Sequence, residues 1–497
     1  MSKKFSIPII HEIDVVCAMG VIDRRRHCVA AEYVVAVQRI ERIIMTIRPH
    51  PWEFLHAESE VDLPGRYAPI LDAWLTSRGD PAGDIDRVLA QDPESVFGHC
   101  LRAAIIVRGD DSSARSKLVQ SIAAIEAICQ RVDHRLRRHA FAARALLDGD
   151  QAAALERYGA IIVDSPRDII ALAAAHALDF RLGLRRMLRD RVAQVLPEWH
   201  PEMPGYASVL AMYAFGLEEN GQYRRAEKMA RRALEVDPRH PAAIHAIAHV
   251  MEMQGRTREG LEFLAATETA WMDTSFSVHL FWHRALFYLD QDDARSALAV
   301  YDAQIARART ISELADASAL LWRLQLRSVR VSDRWHKLAD CWDAQALAAA
   351  RLFYTAHAMM AFAAAGRVAA VHRIFDLLQH AETGDALVSP LQDALIVPFC
   401  KALYAFANGD YAGCVEWLGG VRHIAHRCGG SLAQCDLIQL TFVEAALRAN
   451  KANLARGLVA ERAAHKPSSR LNRGLQQRLA RRHKRTPSIV QRLTTQM

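Results

Sequence analysis

The segment GQYRRAEKMARRALEVDP, from Gly221 to Pro238, places small or apolar residues every three or four positions. Tyr223, Ala226, Ala230 and Ala233 share one face, while Arg, Lys and Glu fill the others. That spacing is the helical period, so it predicts an amphipathic helix with a narrow buried stripe. Gly221 makes the preceding turn and Pro238 stops the helix. GDQAAALERYGAIIVDSP, from Gly149 to Pro166, follows the same pattern.

Turn positions recur at Gly149, Gly183, Gly221 and Gly255, spaced by 34, 38 and 34 residues. Weaker units stand at QDDARSALAVYDAQI, at GRVAAVHRIFDLL from Gly366 and at GDYAGCVEWL from Gly409. Small residues recur because paired antiparallel helices approach closely only where side chains are small. No strand-like alternation interrupts the pattern. An all-α superhelix of tetratricopeptide-repeat-like helical hairpins, an α-solenoid, is expected over residues 66–465. Residues 1–65 fit the period less well. They hold the amphipathic stretch MGVIDRRRHCVAAEYVVAVQRIERIIMTI and then RPHPWEF, and read as an N-terminal helical cap or extension.

Charge divides the chain again. From Lys466 to Met497 there are nine Lys or Arg and no acidic residue, and removing them from the net +7 leaves −2. The body is therefore near neutral, and residues 466–497 read as a solvated basic tail. No nucleic-acid partner is expected, since no basic helix face of the body is interleaved with aromatics. Hydrophobic residues make up 51% and charged residues 24%, the balance of a soluble globular protein. The nine cysteines are scattered without a Cys-x-x-Cys pair, which disfavours disulfides and thiolate zinc ribbons and suits a reducing cytoplasm. His11, Glu12 and Asp14 interrupt any signal-peptide core. The most apolar run, ALAAARLFYTAHAMMAFAAAG, carries Arg351 and His357 and reads as a buried helix, so no membrane partner is expected.

Candidate chemistry concentrates in HAIAHVMEMQGRTREGLEFLAATETAWMDTSFSVHLFWH, from His245 to His283, which begins and ends with His-x-x-x-His. Residues four apart share a helix face, so each pair can aim at one ion. Both pairs fall on the first helix of their unit, the one that lines the concave side in such repeats. The turn at Asp292 follows Gly255 by 37 residues, against 34 between the pairs, so the second pair is slipped by about three residues. That slip either brings the pairs together across neighbouring helices or offsets them along the groove. Converging imidazoles suit a divalent transition metal such as zinc or iron, not calcium or magnesium. Glu252, one turn beyond His249, is a candidate ligand or general base; paired with Arg256, it is an ordinary surface charge.

Several runs resemble the tetratricopeptide repeat protein 38 family: PRDIIALAAAHALDFRLG, HAIAHVMEMQGRTREGLEFL, SVHLFWHRALFYLDQDDARSALAVYDAQI and GGSLAQCD. The similarity runs from about Val96 to Arg470. It implies an all-α repeat superhelix and supplies no settled activity. Family-like positions are His139, Asp168, His176, Asp179, Trp199, His245, His249 and Glu252, then Trp271, His279, Trp282, His283, Asp302 and His357. Leu280 stands where an Asn is expected, and Tyr354 and Thr355 replace an expected Asn-Asp pair before His357. Cys435 stands where Arg is expected, which argues against a catalytic cysteine. In this scheme His139, His176 and His357 complete an outer shell or a second site. Trp271 and Trp282 form an apolar wall or simply pack in the core, and Asp302 orients a ligating imidazole or serves as a helix cap or salt-bridge partner.

Two readings stay open from sequence. In one, a His-rich cavity binds a metal and a small molecule, with hydrolytic or oxidative chemistry. In the other, the groove of a non-enzymatic scaffold holds a peptide or protein partner. Homodimerisation is left open in both. No nucleotide-binding loop or serine-hydrolase elbow is present.

Overall fold

The repeat turns take the backbone that the sequence pattern requires. In a computed structural model of the chain, Gly149 (φ +85°), Gly183 (φ +66°), Gly221 (φ +73°) and Gly255 (φ +69°) are all left-handed, and Asp292 (φ +67°) holds the same position in its unit. At Gly183 the need for glycine is double, because a Cβ there would lie 2.4 Å from the His426 carbonyl oxygen. The structure describes residues 63–109, 114–128, 134–345, 352–380 and 391–485. The chain divides into Met1–Pro51 and Trp52–Met497, and all described residues belong to the second unit. Apart from residues 63–65, the expected N-terminal cap lies outside them.

Antiparallel helical hairpins follow one another along the chain. The first are α1 (Leu63–Leu75) with α2 (Pro81–Gln91), α3 (Val96–Arg108) with α4 (Arg115–Ile128), and α5 (His134–Leu147) with α6 (Gln151–Asp164). Next come α7 (Ile169–Arg181) with α8 (Arg185–Val195), and α9 (Tyr206–Glu218) with α10 (Tyr223–Val236). The middle units are α11 (Pro241–Met253) with α12 (Thr257–Ala266), and α13 (Ser277–Asp290) with α14 (Ala294–Val300). Then follow α15 (Ile311–Leu326) with α16 (Ser332–Asp343), and α17 (Leu352–Ala364) with α18 (Val368–His380). The last are α19 (Val397–Ala407) with α20 (Tyr411–Val421), α21 (Leu432–Arg448) with α22 (Ala452–His465), and α23 (Arg470–Arg485). The fold is an all-α solenoid. Among the described residues the sole β-type pairing is an isolated bridge between Arg78 and Thr274. No described helix is long and apolar enough to cross a membrane.

The two helices of a unit are built differently. In α10 only Ala226, Ala230 and Ala233 are buried, the narrow stripe read from the sequence. Its partner layer is covered on all sides, and α11 buries eleven of its thirteen residues. A helix that is apolar all round must be enclosed. What encloses it comes from far along the chain. α21 packs against α11 and α15, and α23 reaches α13. The Leu432 amide donates to both Glu219 carboxylate oxygens (2.9 and 3.1 Å), Trp322 Nε1–H to Thr441 Oγ1 (3.0 Å), and Arg323 to the Ala433 carbonyl (2.7 Å).

The basic stretch after Lys466 is not a free arm through Arg485. It forms α23, with Ser469 and Asn472 buried, and the Ser469 hydroxyl donates to Asp290. Its apolar positions, Leu471 and Leu475, pack on the core, while Arg470, Arg473, Arg478 and Arg481 are exposed. Local charge density had hidden an amphipathic helix.

Candidate metal centre

The centre is built on α11 and α13, neighbouring inner helices. His240 caps α11 through its ring nitrogen, which accepts from the Ala243 amide (3.4 Å), and Pro241 fixes the first turn. His245 and His249 then project from one face one turn apart, as do His279 and His283 on α13. The two pairs meet. One ligand atom from each of the four rings lies within 4.8 Å of all the others. His249 and His283 are fully buried, His245 is 8% exposed, and His279 keeps 18% of its side chain accessible.

Carboxylates back this cluster. His279 Nδ1 donates to Asp316 of α15 (2.8 Å), and His283 Nδ1 to Glu252 Oε2 (3.0 Å). His249 Nδ1 faces Glu218 Oε2 of α9 at 3.4 Å. At His279 and His283 the acceptor at Nδ1 holds the proton there and turns the Nε2 lone pair towards the cluster, the usual arrangement behind metal-bound imidazoles. His279 Nε2 in turn faces His245 Nε2 at 3.0 Å. Both nitrogens of His249 and the Nε2 of His283 have no hydrogen-bond partner, although buried nitrogens ordinarily find one.

Burial, and next the neighbouring imidazoles, hold His245 and His283 well below the ordinary histidine range. Burial brings His249 down to about 4. These three rings are therefore neutral at pH 7, the form that ligates a metal. Opposite them, burial and then the Glu252 charge push Glu218 up to about 8. Burial and then Glu218 do the same to Glu219.

Glu252 is committed on both oxygens. Oε2 accepts from His283 and Oε1 from Lys466 Nζ (3.1 Å). This makes it a positioning residue for His283, not a free general base. The expected pairing with Arg256 does not form, because Arg256 bonds to Glu227 and Glu259. Glu252 and Lys466 also line a cavity of about 860 Å³, together with Arg323, Asp436 and Arg462.

The remaining expected residues divide. Trp282 joins the site: its ring stacks on His279 (centroids 5.2 Å, planes 15° apart), and the Arg323 guanidinium lies 5.3 Å from its ring centre. His176 reaches the cluster only through Phe215, which is 6.3 Å from it and 5.6 Å from His245. His357 gives its Nδ1 proton to the Phe353 carbonyl (2.7 Å) and stays outside the four-ring group. His139 belongs elsewhere, bonded to Asp168 (2.9 Å), which caps α7 through the Ala171 amide. Trp271 is core, packed on Phe281 and Arg284. Asp302 does not orient an imidazole. It sits in a π-helical turn, Tyr301–Ile305, and forms a two-pronged pair with Arg334 (2.7 and 2.6 Å). Burial pushes the Cys435 thiol up to about 11, away from the reactive thiolate form.

Sequence reasoning missed Asp316, Glu218, Glu219 and Lys466. Asp316 had one signal, an acid inside the apolar run LADASALL. Glu218 and Glu219 stand just before the Gly221 turn, where acids are usually solvated.

No family model matches the chain. A solved structure of Naa15/Naa10 bound to HypK-THB overlaps 94% of this chain and 77% of that one, at 14% identity and a TM-score of 0.28. An overlap that loose carries no argument about function.

Proposed function

We propose that this chain is a repeat scaffold akin to the tetratricopeptide repeat protein 38 family. In this reading its His245, His249, His279 and His283 hold one divalent transition metal, zinc or iron. The observation that carries the proposal is the buried, partnerless Nε2 of His283, whose proton is fixed on the opposite nitrogen by Glu252. A buried lone pair aimed at three other imidazoles is costly without a cation, and a metal ion removes that cost. Asp316 and Glu252 position the rings. Trp282 shields one side, and His279, the most accessible ring, marks where a small molecule approaches.

Metal-dependent hydrolysis or oxidation of a small molecule is the chemistry such a centre serves. Later helices cover most of α11 and α13, which favours a small molecule over a peptide at these histidines. Six free cysteines among the described residues suit a reducing compartment, and we place the protein in the cytoplasm.

Elemental analysis of the full chain, purified without chelators, tests the reading. At least one equivalent of a transition metal is expected, and it is lost in the H245A/H249A double variant. Less than roughly a tenth of an equivalent in the unaltered protein would overturn it.

A further inference from the structure

We infer that a second divalent cation binds beside the first, on Glu218, Glu219 and His249, with the His249 ring bridging the two ions. This rests on the four-histidine reading and extends it to a two-metal centre.

One ligand atom from each of Glu218, Glu219 and His249 lies within 4.8 Å of the others, and all three residues are buried. Both carboxylate oxygens of Glu218 and the Nδ1 of His249 have no hydrogen-bond partner. Their separation is informative. At 3.4 Å, His249 Nδ1 and Glu218 Oε2 are farther apart than the 2.8 and 3.0 Å bonds of His279 to Asp316 and His283 to Glu252. Two ligands placed about 2.0–2.1 Å from one tetrahedral ion lie roughly 3.3 Å apart. The pair is spaced as co-ligands and not as a hydrogen bond.

Glu219 adds a second carboxylate. It accepts from the Leu432 amide and pairs with Arg185 (3.2 Å), which orients it and leaves lone pairs for a metal. Lys466, the other nearby cation, is bonded to Glu252. Two adjacent buried carboxyls thus face one guanidinium and hold protons in the metal-free protein, and a divalent ion takes the place of those protons.

A ring that binds metal through both nitrogens must lose its N–H proton. Binding of the second ion therefore releases that proton to solvent, together with those held by Glu218 and Glu219, and the imidazolate carries negative charge between the ions. One nitrogen and two carboxylates suit zinc, iron or manganese and leave a fourth position for water or substrate.

Titrating the chelator-stripped full chain with zinc, against a competing chelator, decides the matter. Two tight equivalents are expected in the unaltered protein and one in the E218Q/E219Q variant, whose fold is checked by circular dichroism. A single equivalent in the unaltered protein, or two in the variant, would overturn the second site and leave the four-histidine site standing. No tight equivalent at all would overturn both.

Discussion

His279 and Asp316 lie 37 residues apart in sequence, yet the imidazole Nδ1 donates to the carboxylate across two helices at 2.8 Å. Gln434, from α21, donates to the other Asp316 oxygen (3.3 Å), so this acid is held from both sides. Replacing such an outer carboxylate typically weakens metal binding by about 10–100-fold. Asp316→Asn should reproduce that loss in a chelator competition while leaving the helical spectrum unchanged. Equal affinity in the variant would remove Asp316 from the site.

Lys466 and Glu252 form a largely enclosed ion pair. Removing one partner of a buried pair leaves the other charge unsatisfied and costs about 3–5 kcal/mol. Lys466→Met should lower the unfolding midpoint strongly, and adding Glu252→Gln should restore part of it. Thermal melts of both single variants and the double variant give the coupling.

Close helix approach makes two glycines respond oppositely. A Cβ on Gly216 would lie 2.4 Å from the Leu188 carbonyl oxygen, whereas nothing lies within 4 Å of one on Gly457. Gly216→Ala should destabilise by about 1–3 kcal/mol through overpacking. Gly457→Ala, on an exposed helix position, should stabilise by about 0.5–1 kcal/mol. Denaturant midpoints compare them directly.

The metal-free protein should lose stability as pH rises through about 8. Glu218 and Glu219 titrate near 8 when folded, against 4.5 as ordinary glutamates. The folded state thus holds protons that the unfolded chain has shed, and their contribution fades as pH rises through that window. His249 acts oppositely, at about 4 folded against 6.5, so its contribution is lost on acidification. The other buried histidines act as His249 does, so the carboxyls set the slope only where histidines are neutral in both states, above roughly pH 7.5. The melting temperature of chelated protein should fall from there through about pH 9, and E218Q/E219Q should flatten that slope. A rising profile would contradict the assignment.

Much of the fold was legible because its determinants are local. Turn glycines sit where left-handed backbone is needed, and the alanine stripe of α10 is a helical period. The four histidines were legible for the same reason: two i, i+4 pairs on equivalent helices, with a three-residue slip that the structure resolves as convergence. Their supporting carboxylates were not. Asp316 and Glu218 are defined by which helices pack against α13 and α11, and no spacing encodes that. Asp302 had two readings from sequence, an imidazole partner or a salt-bridge residue, and its π-helical turn aims it at Arg334. Lys466 was read as part of a free tail, although it lies 214 residues beyond its partner and beside it in space.

That last contact bears on how the protein comes to be made. α11 and α13 leave the ribosome long before Lys466, and before α21 supplies Gln434 to Asp316. At synthesis rates of about 5–20 residues per second, the histidines wait roughly 10–40 seconds for their final surroundings. During that interval the rings lack their final partners, so under the proposed metal reading the ion first captured and the ion finally retained would be chosen under different conditions.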